Sequence, residues 1–419
     1  MTLPEPNQLR AMLSQLASRQ SLGRVDVLIY CHDGRGLGHL SRSIAIALAI
    51  RRIRPTARVV LLTGSEHTPE LVGCGRVDWM KLPSYATGSM RRSYPAAAGL
   101  LLHDATTAVR SRMIRDIVAG LKPRTVLVDH YPAGKQGELL PALQDSRSQS
   151  SLWFLGLRAI VGHNPAIWSK EAQALVRRKY SRLFWYGDSS VTASVAYAGI
   201  ERHFADVDLF ETGYVSRAEE LASINALPMV KAVEGLAAFS WCSPTSIRVL
   251  SSLASAIATL GSSIASWRVT VGAGASGAQR SAVLERLETD LGCEVLSPDL
   301  AFLSCLKCSR VALLQAGYNS LTDLIWAGVP AVVVIREAKD GEQLLHSRAL
   351  APRFGNRVLF LREDEASDQA ILRHAIAAQA ERQRTGSNFI GLHGAERVAR
   401  SILSSIPNSD SKCHGCEIA

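Results

Sequence analysis

Short, unbroken apolar runs alternate with helix-length segments along most of the chain. In the first half RVDVLIY, ARVVLLTG, RTVLVDH and SLWFLGL read as strands, with SRSIAIALAIRRI and ATTAVRSRMIRDIVAGL as helices between them. Their hydrophobicity is continuous rather than alternating. That predicts strands buried on both faces, hence a parallel sheet covered by helices. After DLFETGYVS the pattern restarts, with GLAAFSW, SWRVTVGAG, CEVLSP, RVALLQAG and PAVVVI as strands. SIRVLSSLASAIATL, QRSAVLERLETDL and NSLTDLIWAG are the accompanying helices. The repetition predicts two doubly wound, Rossmann-like α/β domains, residues 1–215 and 216–406, joined near 213–220. Residues 407–419 form a polar tail expected to be disordered. The N-terminal MTLPEPNQLRAMLSQLASRQSLG reads as one amphipathic helix packed on the surface, with membrane docking as the lesser alternative.

In such sheets ligands sit beyond the carboxyl ends of the strands, so the residues following each strand carry the candidate chemistry. After the first strand comes CHDGRGLGHLSRS, with Gly34, Gly36 and Gly38 leading to His39 on the first turn of a helix. A plain turn needs one glycine; three let a ligand approach the backbone, with His39 as its acid or base. A flexible turn that happens to hold a histidine is the alternative. After RTVLVDH, the segment through YPAGKQGEL carries Asp129, Lys135 and Glu138, and Arg158 follows SLWFLGL. In the second half, RVTVGAGASGAQ places Gly272, Gly274, Ser276 and Gly277 where free N–H groups can hold a phosphate. Such a loop is more often only a turn.

The most informative stretch is LLQAGYNSLTDLIWAGVPAVVVI. A strand ends at Ala316–Gly317, Asn319–Ser320 can cap the next helix, and Asp323 is expected in its first turn. Gly328 closes that helix and Pro330 leads into another strand. This is either capping with an acid on the favourable end of the dipole, or a nucleotide site. In the second case helix-start N–H groups hold a phosphate while Asp323 accepts bonds from two ribose hydroxyls. Downstream, REAKDGEQLLHS offers Glu342 and Gln343 for the hydroxyls of a second sugar.

Composition narrows the class. The chain is 47% hydrophobic and 20% charged over 419 residues, as a soluble two-domain protein would be. No apolar run reaches the roughly 18 residues of a membrane span, and nothing at the N-terminus has a secretory layout, so a cytoplasmic protein is expected. The net charge of +10 lies in residues 1–215, which hold 27 Lys+Arg against 17 Asp+Glu; the remainder holds 20 of each. A basic half suggests an anionic partner, a phosphorylated acceptor or peripheral contact with an anionic membrane, with solubility alone an equal alternative. Nucleic acid ranks last, because no binding motif accompanies the charge. Two CxxC pairs, Cys305/Cys308 and Cys413/Cys416, stand too far apart for a zinc ribbon. Buried thiols are expected at the first. CEIA at the end lacks the aliphatic residue of a prenylation box. The one Asp-x-Asp, Asp206 and Asp208, sits beside the domain junction rather than at a strand end, so neither a metal nor a cofactor is expected.

GLGHLSR early, VDHYPAGKQGEL and GLR midway, and GYNSLTDLIWAGVP followed by EQ late together resemble the GT-B glycosyltransferases. The pattern is similar to the group containing the transferase that adds GlcNAc in peptidoglycan lipid-precursor synthesis, in particular to a bacterial branch of predicted glycosyltransferases. The resemblance covers about residues 25 to 405. It implies an N-terminal acceptor domain and a C-terminal nucleotide-sugar domain. The donor would lie against Gly36, Gly38, Gly272 and Gly274, its diphosphate at Gly317, Asn319 and Ser320, its ribose at Asp323, and its sugar at Glu342 and Gln343. Asp129, Glu138 and Arg158 would stand on the acceptor side, and His39 would deprotonate the acceptor hydroxyl. Three positions depart from the pattern. Asp323 replaces a Glu, Ala159 stands where an Asp is usual, and FSWCSP (with Trp241 and Pro244) replaces a glycine-rich loop. GLGHLSRS is also similar to the UDP-sugar hydrolases of pseudaminic-acid synthesis, where the histidine acts on water. The expected activity is metal-independent transfer from a uridine-linked sugar to a hydroxyl on a glycan, glycolipid or small molecule. UDP-sugar hydrolysis or epimerisation is an alternative, and so is non-catalytic nucleotide-sugar binding.

Overall fold

A computed structural model describes residues 24–32, 37–73, 77–85, 103–145, 147, 150–239, 243–260, 266–272, 278–296, 299–336, 341–384 and 390–406. The first sheet has seven strands: β1 (Val27–Cys31), β2 (Val59–Thr63), β3 (Asp78–Lys81), β4 (Thr125–Asp129), β5 (Leu152–Arg158), β6 (Arg182–Tyr186) and β7 (Leu209–Glu211). Their spatial order is β3-β2-β1-β4-β5-β6-β7. The second sheet has β8 (Val233–Phe239), β9 (Trp267–Val271), β10 (Glu294–Leu296), β11 (Ser309–Gln315), β12 (Ala331–Ile335) and β13 (Val358–Arg362), ordered β10-β9-β8-β11-β12-β13. Every pairing within the two sheets is parallel. The order reverses between β1 and β4, and again between β8 and β11. Each reversal opens a crevice at the strands' carboxyl ends.

The apolar runs explain the sheet centres. β1, β2 and β4 are buried at every position, as continuous hydrophobicity requires. Four strands escaped that criterion. β3 reads DWMK and is largely exposed at the sheet edge, and β7 is a three-residue edge strand. β6 reads RLFWY, aromatic without a β-branched residue, yet is almost wholly buried. β13, VLFLR, closes the second sheet with a half-exposed face.

Two crossings connect the halves. The chain leaves β7 through Gly213–Val215 and returns at Gly391–Gly394, where Val215 and His393 form an antiparallel bridge. The Gly394 N–H donates to Tyr214 O at 2.9 Å. A side chain at Gly394 would place its Cβ 2.6 Å from the carbonyl oxygens of Gly213 and Tyr214, so only glycine permits this approach. The last helix, Gly394–Ser404, then packs on the Gly38–Ile53 helix of the first half. Arg52 clamps both crossings, reaching Glu220 and Glu396 at 3.1 Å. A continuous apolar cluster runs from Ile44 and Leu48 through Leu321 and Leu324 to Val398 and Ile402.

The N-terminal segment, Gly34, Gly36, Gly274, Ser276, Gly277, Trp241, both cysteines of CHGC and the polar tail lie outside the described residues. Among the described residues no helix is long and apolar enough to cross a membrane. At CLKC, Cys305 is buried as expected, but Cys308 is exposed. Cys308 is the last residue of the Ala301–Cys308 helix and turns outward.

Candidate active site

A cavity of about 1160 Å³ lies between the halves, walled by residues that follow the strands of both sheets. β1 and β4 are adjacent and parallel, with Tyr30 opposite Val128. Whatever follows one strand therefore meets whatever follows the other, and this brings His39 to Asp129 across 90 positions of sequence. His39 Nδ1 is 2.5 Å from Asp129 Oδ2. Arg42 Nη2 donates to the same oxygen at 3.0 Å, and Arg42 Nε approaches Oδ1 at 3.4 Å. Burial works against the Asp129 carboxylate, but Arg42 and His39 outweigh it and hold the group below its ordinary range. An ionised Asp129 is the acceptor for a proton kept on Nδ1, the tautomer that leaves the lone pair on Nε2. Burial depresses the His39 imidazole to about 4, against the opposing pull of Asp129. The ring is therefore neutral at physiological pH. It is 14% exposed and lines the cavity.

Sequence reasoning missed two further histidines here, His32 just beyond β1 and His130 just beyond β4. The rings of His32 and His39 are 3.9 Å apart, and those of His39 and His130 5.5 Å. Burial pushes both new members well below the usual histidine range, with neighbouring cations adding to the effect. His130 sits at φ +74°, a left-handed backbone rare outside glycine. The rule that selected Asp129, residues immediately after a strand, would also have found both.

On the facing side the helix Tyr318–Ala327 has Gly317 as its N-cap, rather than Asn319 or Ser320. Its first hydrogen bond runs from Leu321 N–H to Gly317 O, so the N–H groups of Tyr318, Asn319 and Ser320 lie outside the ladder. The Gly38–Ile53 helix begins the same way, with Ser41 N–H donating to Leu37 O. The two helix starts touch, because Asn319 Nδ2 donates to Gly38 O at 3.0 Å. The space beside Gly38, expected to admit the donor, is thus filled by Asn319, whose Nδ2 would lie 3.1 Å from a Cβ there. Gly272 lines the cavity at the end of β9, its N–H bonded to Phe239 O at 2.8 Å.

Asp323 lies in the second turn of its helix, not the first, because the cap falls at Gly317. It lines the cavity but is 8% exposed. Burial raises its carboxyl to about 7, opposed by the buried Arg217. Arg158 Nη1 donates to Glu342 Oε2 at 2.6 Å, joining an expected acceptor-side residue to an expected donor-sugar residue. Arg158 Nη2 also lies 3.1 Å from His130 Nε2. Gln343 Oε1 accepts from Arg336 N–H at 3.1 Å.

Two expected acceptor-side residues do not face the cleft. Asp129 stands behind His39, 2% exposed, because it ends a central strand and is covered by His39 and Arg42. Glu138 is fully buried in a separate cluster. Arg110 Nη2 reaches its Oε1 at 2.7 Å, Tyr85 Oη donates to Oε2 at 2.6 Å, and Tyr30 Oη bonds to Oε1. Gly134 and Gly137, at φ +70° and +77°, turn the loop so that Glu138 points inward. Lys135 remains at the cavity wall, over the ring of Tyr85. Among the described residues, no group of three His, Cys, Asp or Glu side chains is arranged to hold a metal ion.

No family model matches the sequence, and no curated protein matches it. Solved structures do match in shape. UDP-GlcNAc 2-epimerase from Methanocaldococcus jannaschii, in complex with UDP-GlcNAc and UDP, aligns with a TM-score of 0.58 at 12% identity over 91% of this chain and 100% of its own. The glycotransferase of kitacinnamycin gives 0.53 at 14% identity, over 92% and 100%. An Arabidopsis thaliana UGT complexed with UDP-L-rhamnose gives 0.53 at 13%, over 91% and 94%. The fold is GT-B. At these identities the likeness shows the two-domain architecture alone.

Proposed function

We propose that the protein transfers a sugar from a nucleoside-diphosphate donor, uridine-linked, to an acceptor hydroxyl. One observation carries the reading: two helix N-termini from separate sheets converge on one cleft, with a neutral histidine backed by an aspartate between them. A leaving diphosphate concentrates negative charge. The N–H groups at Tyr318–Ser320 and the helix dipoles supply positive potential where that charge develops, without requiring a metal ion. His39 Nε2 takes the proton of the acceptor hydroxyl as its oxygen attacks the anomeric carbon, and the bond from that carbon to the diphosphate breaks. Direct displacement of this kind inverts the anomeric centre. Asp323 would hold the ribose, Glu342 and Gln343 the donor sugar. The acceptor would enter from the first half, where Tyr131, Leu140, Ala172 and Leu175 form an apolar wall.

Hydrolysis or epimerisation of a UDP-sugar is the second reading, favoured by the likeness to an epimerase holding UDP-GlcNAc and UDP. Against it, Asp129, the carboxylate in contact with His39, is engaged by Arg42, and Glu342 at the cavity wall is engaged by Arg158. Product analysis separates the two.

The donor site is tested by thermal stabilisation with UDP, dTDP, GDP and their sugars, in EDTA, on wild type and Asp323→Ala. Ligand at 100 times its dissociation constant stabilises by about 2.7 kcal/mol. UDP or a UDP-sugar is expected to shift the wild type and to shift Asp323→Ala far less. No shift with any nucleotide contradicts the donor assignment, and a shift that needs Mg²⁺ contradicts the metal-independent part.

A further inference from the structure

His39 and Arg42 lie three residues apart on one helix, and so share a face. The Arg42 guanidinium is 2% exposed. Its Nη2 does two things at once: it donates to Asp129 Oδ2 at 3.0 Å and stands 2.9 Å from His39 Nδ1. Its Cζ lies 5.1 Å from the centre of the Tyr318 ring in the second half. Asp129 is therefore divided between a permanent cation and an imidazole. A carboxylate already matched by arginine attracts an imidazolium less, and a guanidinium in contact with Nδ1 repels the second ring proton.

We infer that Arg42 is a positioning residue that shares the Asp129 carboxylate with His39 and opposes the imidazolium, so that the ring holds a single proton. The inference rests on the reading of His39 as the base. Burial is the larger opposition to the imidazolium, and among the charges around His39 Arg158 adds to that of Arg42. His32, His130 and Tyr131 surround the ring at 3.9, 5.5 and 6.4 Å between centroids. Tyr186 and Tyr318 lie beyond Arg42, Lys135 lies over Tyr85, and Arg158 is matched by Glu342. Arg42 is the cation in contact with Nδ1. Depression of the His39 imidazole by burial, with Arg42 among the contributing charges, agrees with this arrangement.

The test is the titration of His39 itself, by NMR of the full chain carrying ¹³Cε1-labelled histidine, with the signal assigned by its loss in His39→Ala. Arg42→Gln and Arg42→Met remove the charge; Arg42→Lys keeps it. Both neutral variants are expected to raise the His39 midpoint by about one pH unit or more. Arg42→Lys should stay within a few tenths of wild type. Two neutral variants guard against one failing to fold, as judged by circular dichroism. A neutral variant that folds and titrates where the wild type does overturns the inference. Equal shifts in the neutral and lysine variants also overturn it, since packing would then be the cause. No nucleotide is present in this experiment, so its outcome is independent of sugar transfer. Turnover without the shift removes the role of Arg42 and leaves the base in place.

Discussion

Two arginine–carboxylate pairs take their carboxylates from one stretch of chain, the end of β4 and the loop after it, and they do opposite work. Asp129 with Arg42 backs a histidine that reaches the cavity; Glu138 with Arg110 is sealed at 0% exposure beneath the loop. The first pair leaves the His39 ring, 14% exposed, at the cavity wall. The second uses both carboxylate oxygens on Arg110, Tyr30 and Tyr85 and ties the His103–Leu121 helix to the loop. Charge and position in sequence are nearly the same. What separates a site from a staple is whether the partners leave a reactive atom at a surface.

The comparison breaks most visibly at the staple. Arg110→Met leaves Glu138 buried without its cation, which costs about 3–5 kcal/mol, read as a lower urea midpoint. Arg110→Met with Glu138→Leu should recover much of that loss. A single variant as stable as wild type would mean that Glu138 reaches water, and would return it to the cleft.

Acid sharpens the contrast, because histidines crowd the site and a fourth, His346, is buried against Tyr214 and Tyr318 beside it. Burial leads the depression of His32, His39, His130 and His346, the last to about 3. With folded pKa values below the unfolded 6.5, these groups contribute fully above pH 6.5. The contribution is lost as pH falls, because the unfolded chain gains protons that the native state refuses. Each costs about 1.4 kcal/mol per pH unit in that window. Asp323, raised to about 7, acts oppositely between its unfolded 3.8 and 7, and Glu220, raised by burial, acts in the same sense, two groups against four. The urea midpoint should therefore fall from pH 7 to pH 5. A midpoint that holds or rises contradicts the buried, neutral cluster.

A smaller effect comes from Asp323, a buried acid whose arginine stands off rather than forking onto it. Asp323→Asn removes a charge that burial opposes, so at pH 8 the variant should gain on the order of 1 kcal/mol while losing UDP affinity. Lower stability in the variant would mean that Arg217 matches Asp323 as fully as Arg110 matches Glu138.

Much of this was legible in the sequence because buried parallel strands announce themselves as unbroken apolar runs. The edges were not, since DWMK and LFE bury too little to leave a pattern. Searching strand ends found His39, Asp129, Arg158 and Gly317. The resemblance gave Asp129 and Glu138 the same role, because the inward turn of Glu138 depends on left-handed backbone at Gly134 and Gly137. Arg42 was not singled out, because the sequence does not say that its helix is buried on nearly every face.

The central claim is that His39, not the staple beneath it, carries the chemistry. The direct test is UDP release from the UDP-sugar that stabilises the wild type, compared with His39→Ala at equal folded fraction. The account predicts a fall of about 100- to 10,000-fold, with UDP binding and the urea midpoint at pH 7 nearly unchanged. Release by His39→Ala at the wild-type rate would contradict it.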